Sequence, residues 1–289
     1  MNTSPPAGVG GTLYVVATPI GNLGDVTLRA VEVLAAVPLI AAEDTRITRR
    51  LLDRHGITTR MTSYHARSGR DRTEALLAHL GDGADLALVT DAGTPVVSDP
   101  GEELVARWAA TGGRVVPIPG ASAVLAAVAA TGLTGPRWTF EGFLPRSGRE
   151  RRERLARLAG DERGTLIYEA PGRVAATLRD LAAACGPERP GAVCRELTKL
   201  HETIERGTLG ELASRAADGT IPARGEFVLV VGAAAPPADP GGDDDRVEAA
   251  RLDVERLVAA GTSRGEAARQ VAATTGLPRR RLYGADTLR

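Results

Sequence analysis

Acidic side chains that directly follow short apolar runs stand where a folded chain can handle protons or face a bound cation. Several segments put them there. ATPIGNLGD ends at Asp25, AAEDTR carries Glu43 and Asp44, VTDAGTPVVSDPG carries Asp91, and MTSYH ends at His65. A carboxylate, or an imidazole neutral near pH 7, can take a proton from a weakly acidic group held beside it. Each has a structural alternative. Asp44 equally suits a helix N-cap, and His65 a surface or core edge. Asp99-Pro100-Gly101-Glu102 reads as N-cap, first helical position and the partner of a capping box. Helix amides occupied by carboxylates in this way are poor phosphate sites, so a cleft there favours a neutral or cationic ligand over NAD or ATP. Gly21 and Gly24 have GxxG spacing, without the GxGxxG of a dinucleotide loop or the lysine of a P-loop. In PIPGASA, Ala121, Ser122 and Ala123 admit a close neighbour, either a ligand or a packed sheet.

The elements that must position these groups alternate between short apolar runs and longer amphipathic ones, the pattern of an α/β fold with parallel strands linked by helices. TLYVVAT, PLIAAE, MTSYH, ADLALVT and RVVPI read as strands of a first domain over residues 12–133. FEGFL, TLIYEA, AVCREL and GEFVLVVGA supply a second over 134–233, the last of them closing its sheet. Residues 1–11 read as a flexible start, 234–245 as a linker rich in Pro, Gly and Asp, and 246–289 as a tail of two or three short helices. Ser263 and Glu266 would form a capping box there. In open α/β sheets ligands bind at the carboxyl ends of the strands, where the acids above lie.

Composition narrows the function. The net charge is zero, so no global field draws nucleic acid, and only local arginine clusters count. Lys199 is the single lysine. Three clusters stand out: Arg67, Arg70 and Arg72; Arg146, Arg149, Arg151, Arg152, Arg154 and Arg157; and Arg279 to Arg281. Aromatic residues make up 3%, too few for an extended base-stacking platform. Two cysteines and four scattered histidines predict neither a disulfide framework nor a metal site. No apolar run reaches the roughly 18–20 residues of a membrane span, and MNTSPPAGVG lacks a signal-peptide pattern. The expectation is a cytoplasmic protein.

Taken in order over residues 11–232, ATPIGNLGD, AAEDTR, VTDAGTPVVSDPG, PIPGASA, FEGFLPR, RELTKLHE and GEFVLVV resemble the bacterial 16S rRNA (cytidine-2′-O)-methyltransferase family. That family lies within the tetrapyrrole methylase superfamily of class III methyltransferases. The resemblance implies a two-domain tetrapyrrole methylase-like fold with S-adenosylmethionine in the cleft, a homodimer, and ribosomal RNA of the small subunit as partner. It assigns the methyl donor to Asp91, Ala92, Gly93, Val96, Val97 and Ser122, with Tyr168, Ala170, Cys194, Leu197 and Phe227 from the second domain. It leaves Asp25, Glu43, Asp44 and His65 as candidates for deprotonating a decoding-centre cytidine 2′-hydroxyl. Arg46, Arg67, Arg70, Arg146, Arg149 and Arg152 become candidate RNA contacts, bidentate on phosphate. Glu196, Lys199 and Glu202 read as an ion-pair network. The chain departs from the family's pattern in having Ser147 and Arg224 where lysine is common, and Gly172 where histidine is common. A tetrapyrrole C-methyltransferase and a noncatalytic RNA-binding assembly factor are the alternatives.

Overall fold

A computed structural model describes residues 10–234 and 243–282. The five apolar runs of the first half pair as β1 (Thr12–Val16), β2 (Leu39–Ala42), β3 (Met61–Ser63), β4 (Leu86–Val89) and β5 (Arg114–Ile118). Their order is β3-β2-β4-β1-β5, and every pairing is parallel. Such a sheet needs cover on both faces. Leu34 of α1 (Leu28–Ala36) and Leu52 of α2 (Thr45–Arg54) cover Ile40, Ala87 and Val89 on one side. Leu80 of α3 (Arg70–Gly81) and Leu104 and Trp108 of α4 (Glu102–Ala110) cover Leu13, Leu86 and Leu88 on the other. Central β4 is therefore buried at all four residues.

Parallel wiring carries all the carboxyl ends to one edge. ATPIGNLGD, EDTR, TDAGTP and PGAS thus emerge side by side from β1, β2, β4 and β5. Thr27 accepts the Ala30 amide and caps α1, while Asp25 lies exposed in a preceding 3-10 turn.

The second half departs from the all-parallel expectation. β6 (Trp138–Phe143), β7 (Gly164–Glu169), β8 (Pro190–Arg195), β9 (Thr203–Thr208) and β10 (Phe227–Val231) form the order β6-β7-β10-β8-β9. Only β6–β7 is parallel. β10 runs antiparallel to both β7 and β8, in the middle of the sheet rather than closing its edge. β7 and β8 are joined through α7 (Val174–Cys185) and lie one strand apart, and the buried backbone donors and acceptors facing that gap need a partner. FVLVV, buried at every residue, supplies it. One face packs Ile167, Val193 and Leu229 on Leu155 of α6 (Gly148–Gly160), Leu178 of α7 and Leu212 of α8 (Leu209–Ala217). The other packs Leu166, Cys194, Val228 and Val230 on Val124 and Ala127 of α5 (Ala123–Thr131), a helix that enters from the first sheet.

Residues to Ala234 form one unit and those from Ala235 another. The second unit joins α9 (Asp243–Ala259) and α10 (Arg264–Thr275), of 17 and 12 residues and longer than expected, through Val254, Ala268, Val271 and Leu282. Ser263 is the N-cap of α10, but its side chain makes no capping bond. The expected box is absent, and Glu266 pairs instead with Arg269 at 3.0 Å. The expected flexible start and linker fall largely outside the described residues. Among the described residues no helix is long and apolar enough to cross a membrane.

Candidate active site

A cavity of about 340 Å³ opens between the first sheet's carboxyl edge and the second sheet. Its floor follows from β10 being central. Tyr168, Val228 and Cys194 are register partners across β7, β10 and β8, so they stand in one row and line the cavity together. The opposite wall is backbone-rich: Ala92, Gly93 and Thr94 from the β4 loop, with Ser122 and Ala123 at the start of α5. Ser122 caps that helix, its Oγ accepting the Leu125 amide at 3.5 Å.

The β4 loop is tied down. Thr18 and Gly93 exchange backbone hydrogen bonds of 2.9 and 3.0 Å, and the Thr18 hydroxyl donates to the Thr90 carbonyl at 3.0 Å. Gly93 has φ +84°, which a side chain adopts only with strain, while a Cβ there would meet nothing nearer than 3.5 Å. The non-glycine residues with positive φ among those described are Val96 and Ser98 (77° and 66°) and Glu196 and Thr198 (54° and 67°). They occupy two loops, one from each sheet, that flank the cavity through Val97, Ser98 and Leu197. Backbone held this far from its preferred conformations clusters at functional sites.

The expected capping box at Asp99 is not formed. α4 begins at Glu102 with Gly101 as N-cap at φ +129° and no side-chain capping bond. The turn through Gly101 delays helix entry, so Asp99 lines the cavity instead. Burial pushes its carboxyl up to about 6, helped by the charges of Glu43 and Asp91. Glu43 and Asp91 are themselves raised, first by burial. These two brace the neighbouring turns: the Asp91 amide donates to Glu43 Oε2 at 3.3 Å, and Asp91 Oδ1 accepts the Asp44 amide at 2.9 Å.

Of the expected donor residues, Ala92, Gly93, Val97, Ser122, Tyr168, Ala170, Cys194, Leu197 and Phe227 line the cavity, whereas Asp91 and Val96 do not. Asp25, Glu43, Asp44 and His65 do not line it. Asp44 is the N-cap of α2 and pairs with Arg46 at 2.5 Å. His65 Nδ1 accepts the Arg67 amide at 3.2 Å, and the ring borders a separate recess with Ser68, Asp71 and Arg72. Residues missed at the sequence level include Asp99, Ile20, Phe143 and Gly225. All four lie inside the quoted motifs, but nothing in residue type alone says which way a loop turns.

Lys199 joins the two halves. Its ammonium contacts Glu196 Oε1 at 2.9 Å and Glu226 Oε2 at 3.1 Å. A Cβ on Gly21 would lie 2.3 Å from Lys199 Cγ, so the glycine of GNLG is the seat for this side chain. Glu202 takes the Thr198 amide at 2.7 Å instead of joining the ion pairs.

The arginine clusters separate by burial. Arg151 is buried, bonded to Asp180 Oδ2 (2.9 Å), Thr177 Oγ1 (3.1 Å) and the Pro145 carbonyl (2.9 Å), and is no RNA contact. Arg46, Arg67, Arg70, Arg146, Arg149 and Arg152 are exposed. Arg70 and Arg149 face Glu74 and Glu153 across one helical turn. Gly172 is exposed in a 3-10 turn with open space around it. Among the described residues, no group of three or more His, Cys, Asp or Glu is placed to hold a metal ion.

A sequence pattern described as tetrapyrrole (corrin/porphyrin) methylases matches residues 12–213, and the chain belongs to that family. The fold agrees: a cobalt precorrin-4 methyltransferase superposes with TM-score 0.58 at 18% identity, over 78% of this chain and 96% of that one. A uroporphyrin-III C-methyltransferase from Thermus thermophilus, solved with S-adenyl homocysteine, gives 0.56 at 19%, over 77% and 97%. Closer in sequence is ribosomal RNA small subunit methyltransferase I of Synechocystis sp., 49% identical over 273 residues, 94% of this chain and 96% of that one. Its namesake in Escherichia coli O157:H7 is 45% identical over 221 residues, 76% and 77% of the two chains. Within the methylases, the chain is a methyltransferase of the ribosomal RNA small subunit methyltransferase I family.

Proposed function

We propose that this protein methylates the ribose 2′-hydroxyl of a decoding-centre cytidine in 16S rRNA of the small ribosomal subunit, using S-adenosylmethionine. We assign it to the cytoplasm as a homodimer, with halves 12–133 and 134–233 acting together. The observation that carries the reading is the charge of the cavity. Its side chains include the carboxylates of Asp99, Glu169 and Glu226 and no lysine, arginine or histidine. The lining offers no cation to a pyrophosphate cofactor, whereas its negative charge, partly offset by Arg173 on Glu169 and Lys199 on Glu226, suits a sulfonium. The volume is that of a small-ligand site.

Main chain at Ala92 and Gly93, with Ser122, Tyr168, Ala170, Cys194, Leu197 and Phe227, would hold the donor. When bound, S-adenosylmethionine supplies an electrophilic methyl group. The chain's own contribution is alignment of that group with the sugar alcohol, an effect reaching about 7–11 kcal/mol in favourable intramolecular cases. Tyr168, held edge-on to Phe140 at 4.8 Å between centroids, fixes the floor. Exposed Phe143 and Val97 at the mouth supply apolar surface to shield the reacting groups from water. Arg146, Arg149 and Arg152 on or beside α6, with Arg46, Arg67 and Arg70 at the first sheet's edge, would grip phosphates of folded RNA.

The test is to incubate the protein and labelled donor with undermethylated small subunits and map ribose methylation. Label on a cytidine 2′ oxygen is expected, and replacing Gly93 by leucine should abolish donor binding measured by calorimetry. Label on a nucleobase, or methylated precorrin accumulating in its place, would overturn the proposal.

A further inference from the structure

We propose that Asp99 is the catalytic base that takes the proton from the acceptor hydroxyl. The inference rests on the methyl-transfer reading above and names a residue for it. Three carboxylates line the cavity, and two are engaged. Glu169 accepts the Ala170 amide at 2.8 Å and the Thr177 hydroxyl at 2.6 Å, and pairs with Arg173 at 3.2 Å. Glu226 pairs with Lys199. Asp99 has no cationic partner among the described residues; the neutral Thr90 side chain beside it offsets part of its basicity but leaves the carboxylate able to receive a proton.

Its direction is built into the backbone. Val96 and Ser98 take positive φ just before it and Gly101 just after, which turns the side chain away from the amides of α4 and into the cavity. The groups facing it are Glu43 and Asp91 from behind and Tyr168 from β7. Burial does most to raise its basicity, and repulsion from the two acids adds to it, to about 6. A base with that value is mostly ionised at neutral pH yet stronger than an ordinary aspartate, which is the compromise general-base catalysis favours. Tyr168 is excluded from the role because burial, with the charge of Asp99, pushes its phenol up to about 12 and keeps it neutral.

The step balances as follows. The hydroxyl O–H bond breaks and its proton passes to the Asp99 carboxylate. The oxygen's electron pair forms the new bond to the donor's methyl carbon, and the carbon–sulfur pair leaves with the sulfur. Asp99 then releases the proton to water.

The experiment compares parent, Asp99→Asn and Asp99→Glu on undermethylated small subunits in single turnover from pH 5 to pH 9, with donor affinity measured separately by calorimetry. The parent rate should rise with pH through about 6 and level off. Asp99→Asn removes one of three carboxylates near the sulfonium, so it should bind S-adenosylmethionine no more than about tenfold more weakly, but at saturating donor it should react about 10²–10⁴-fold more slowly and lose the acid limb. Asp99→Glu should keep the limb and part of the rate. An Asp99→Asn variant as fast as the parent overturns the role, and so does one whose defect is lost donor binding, which would make the carboxylate a counter-charge. A parent profile without the limb overturns it even if Asp99→Asn fails to fold. A parent that transfers no methyl group to RNA overturns the underlying reading as well, which separates the two failures.

Discussion

Replacing Asp99 by asparagine should make the protein more stable at neutral pH while making it slower. The fold holds a carboxylate partly buried beside Glu43 and Asp91, and its value is displaced from the usual 3.8 to about 6. At 1.36 kcal/mol per pH unit this corresponds to about 3 kcal/mol. Below about pH 4 the group is protonated in both folded and unfolded chains, and its full contribution to stability is present. As the pH climbs toward 6 the unfolded chain releases the proton while the folded one retains it, so that contribution drains away. Above about 6 it is gone. Asparagine is neutral throughout and escapes the loss. Water reaching the cavity screens the charge, so about 1.5–3 kcal/mol is the expected gain at pH 7 to 8, or roughly 3–10 °C in melting temperature. Thermal melts of both proteins at pH 4, 5, 6, 7 and 8 give the test. The curves should converge near pH 4 and separate above 6. If Asp99→Asn melts lower than the parent at pH 7, or by a margin independent of pH, the carboxylate is a structural partner and the electrostatic reasoning fails.

Arg151→Ala should cost about 3 kcal/mol, the low end for breaking a buried ion pair because Asp180 is partly exposed, and lower the melting temperature by roughly 6–12 °C. Arg149→Ala and Arg152→Ala should leave the melt within a degree or two, weaken subunit binding and reduce its salt dependence by about one counterion each. Equal melts for all three would put Arg151 on the surface. Gly21→Ala and Lys199→Ala should each destabilise, and the double variant by less than their sum, with a coupling of about 0.5 kcal/mol or more; strict additivity would mean that the GNLG loop does not seat the lysine.

The motifs that line the cavity were legible as motifs. Parallel strands impose one carboxyl edge, so DAGTP, PGAS and EDTR had to emerge together whatever the details. Asp44 as an N-cap was also readable, because capping depends on residues only two or three positions away. The second sheet was less transparent. FVLVV reads as a buried strand wherever it is placed, and its antiparallel position between β7 and β8 is a matter of which slot lacks hydrogen-bond partners. That placement sets Tyr168, Val228 and Cys194 in one row and makes the cavity floor.

Residue type alone misread two charged groups for a common reason. Arg151 belongs to an arginine-rich stretch that looks uniformly solvated, but helical geometry turns this one guanidinium inward onto Asp180 and Thr177, while its neighbour Arg152 faces water. Asp99 has the spacing of a capping residue, yet the turn through Gly101 starts the helix later and gives the carboxylate to the cavity. Local sequence determined the strands, the helices, the Asp44 cap and the family's loops, all of which depend on near neighbours. Tertiary structure alone decided which acids meet and which cation is buried, because burial and charge depend on chain segments brought together from across the fold.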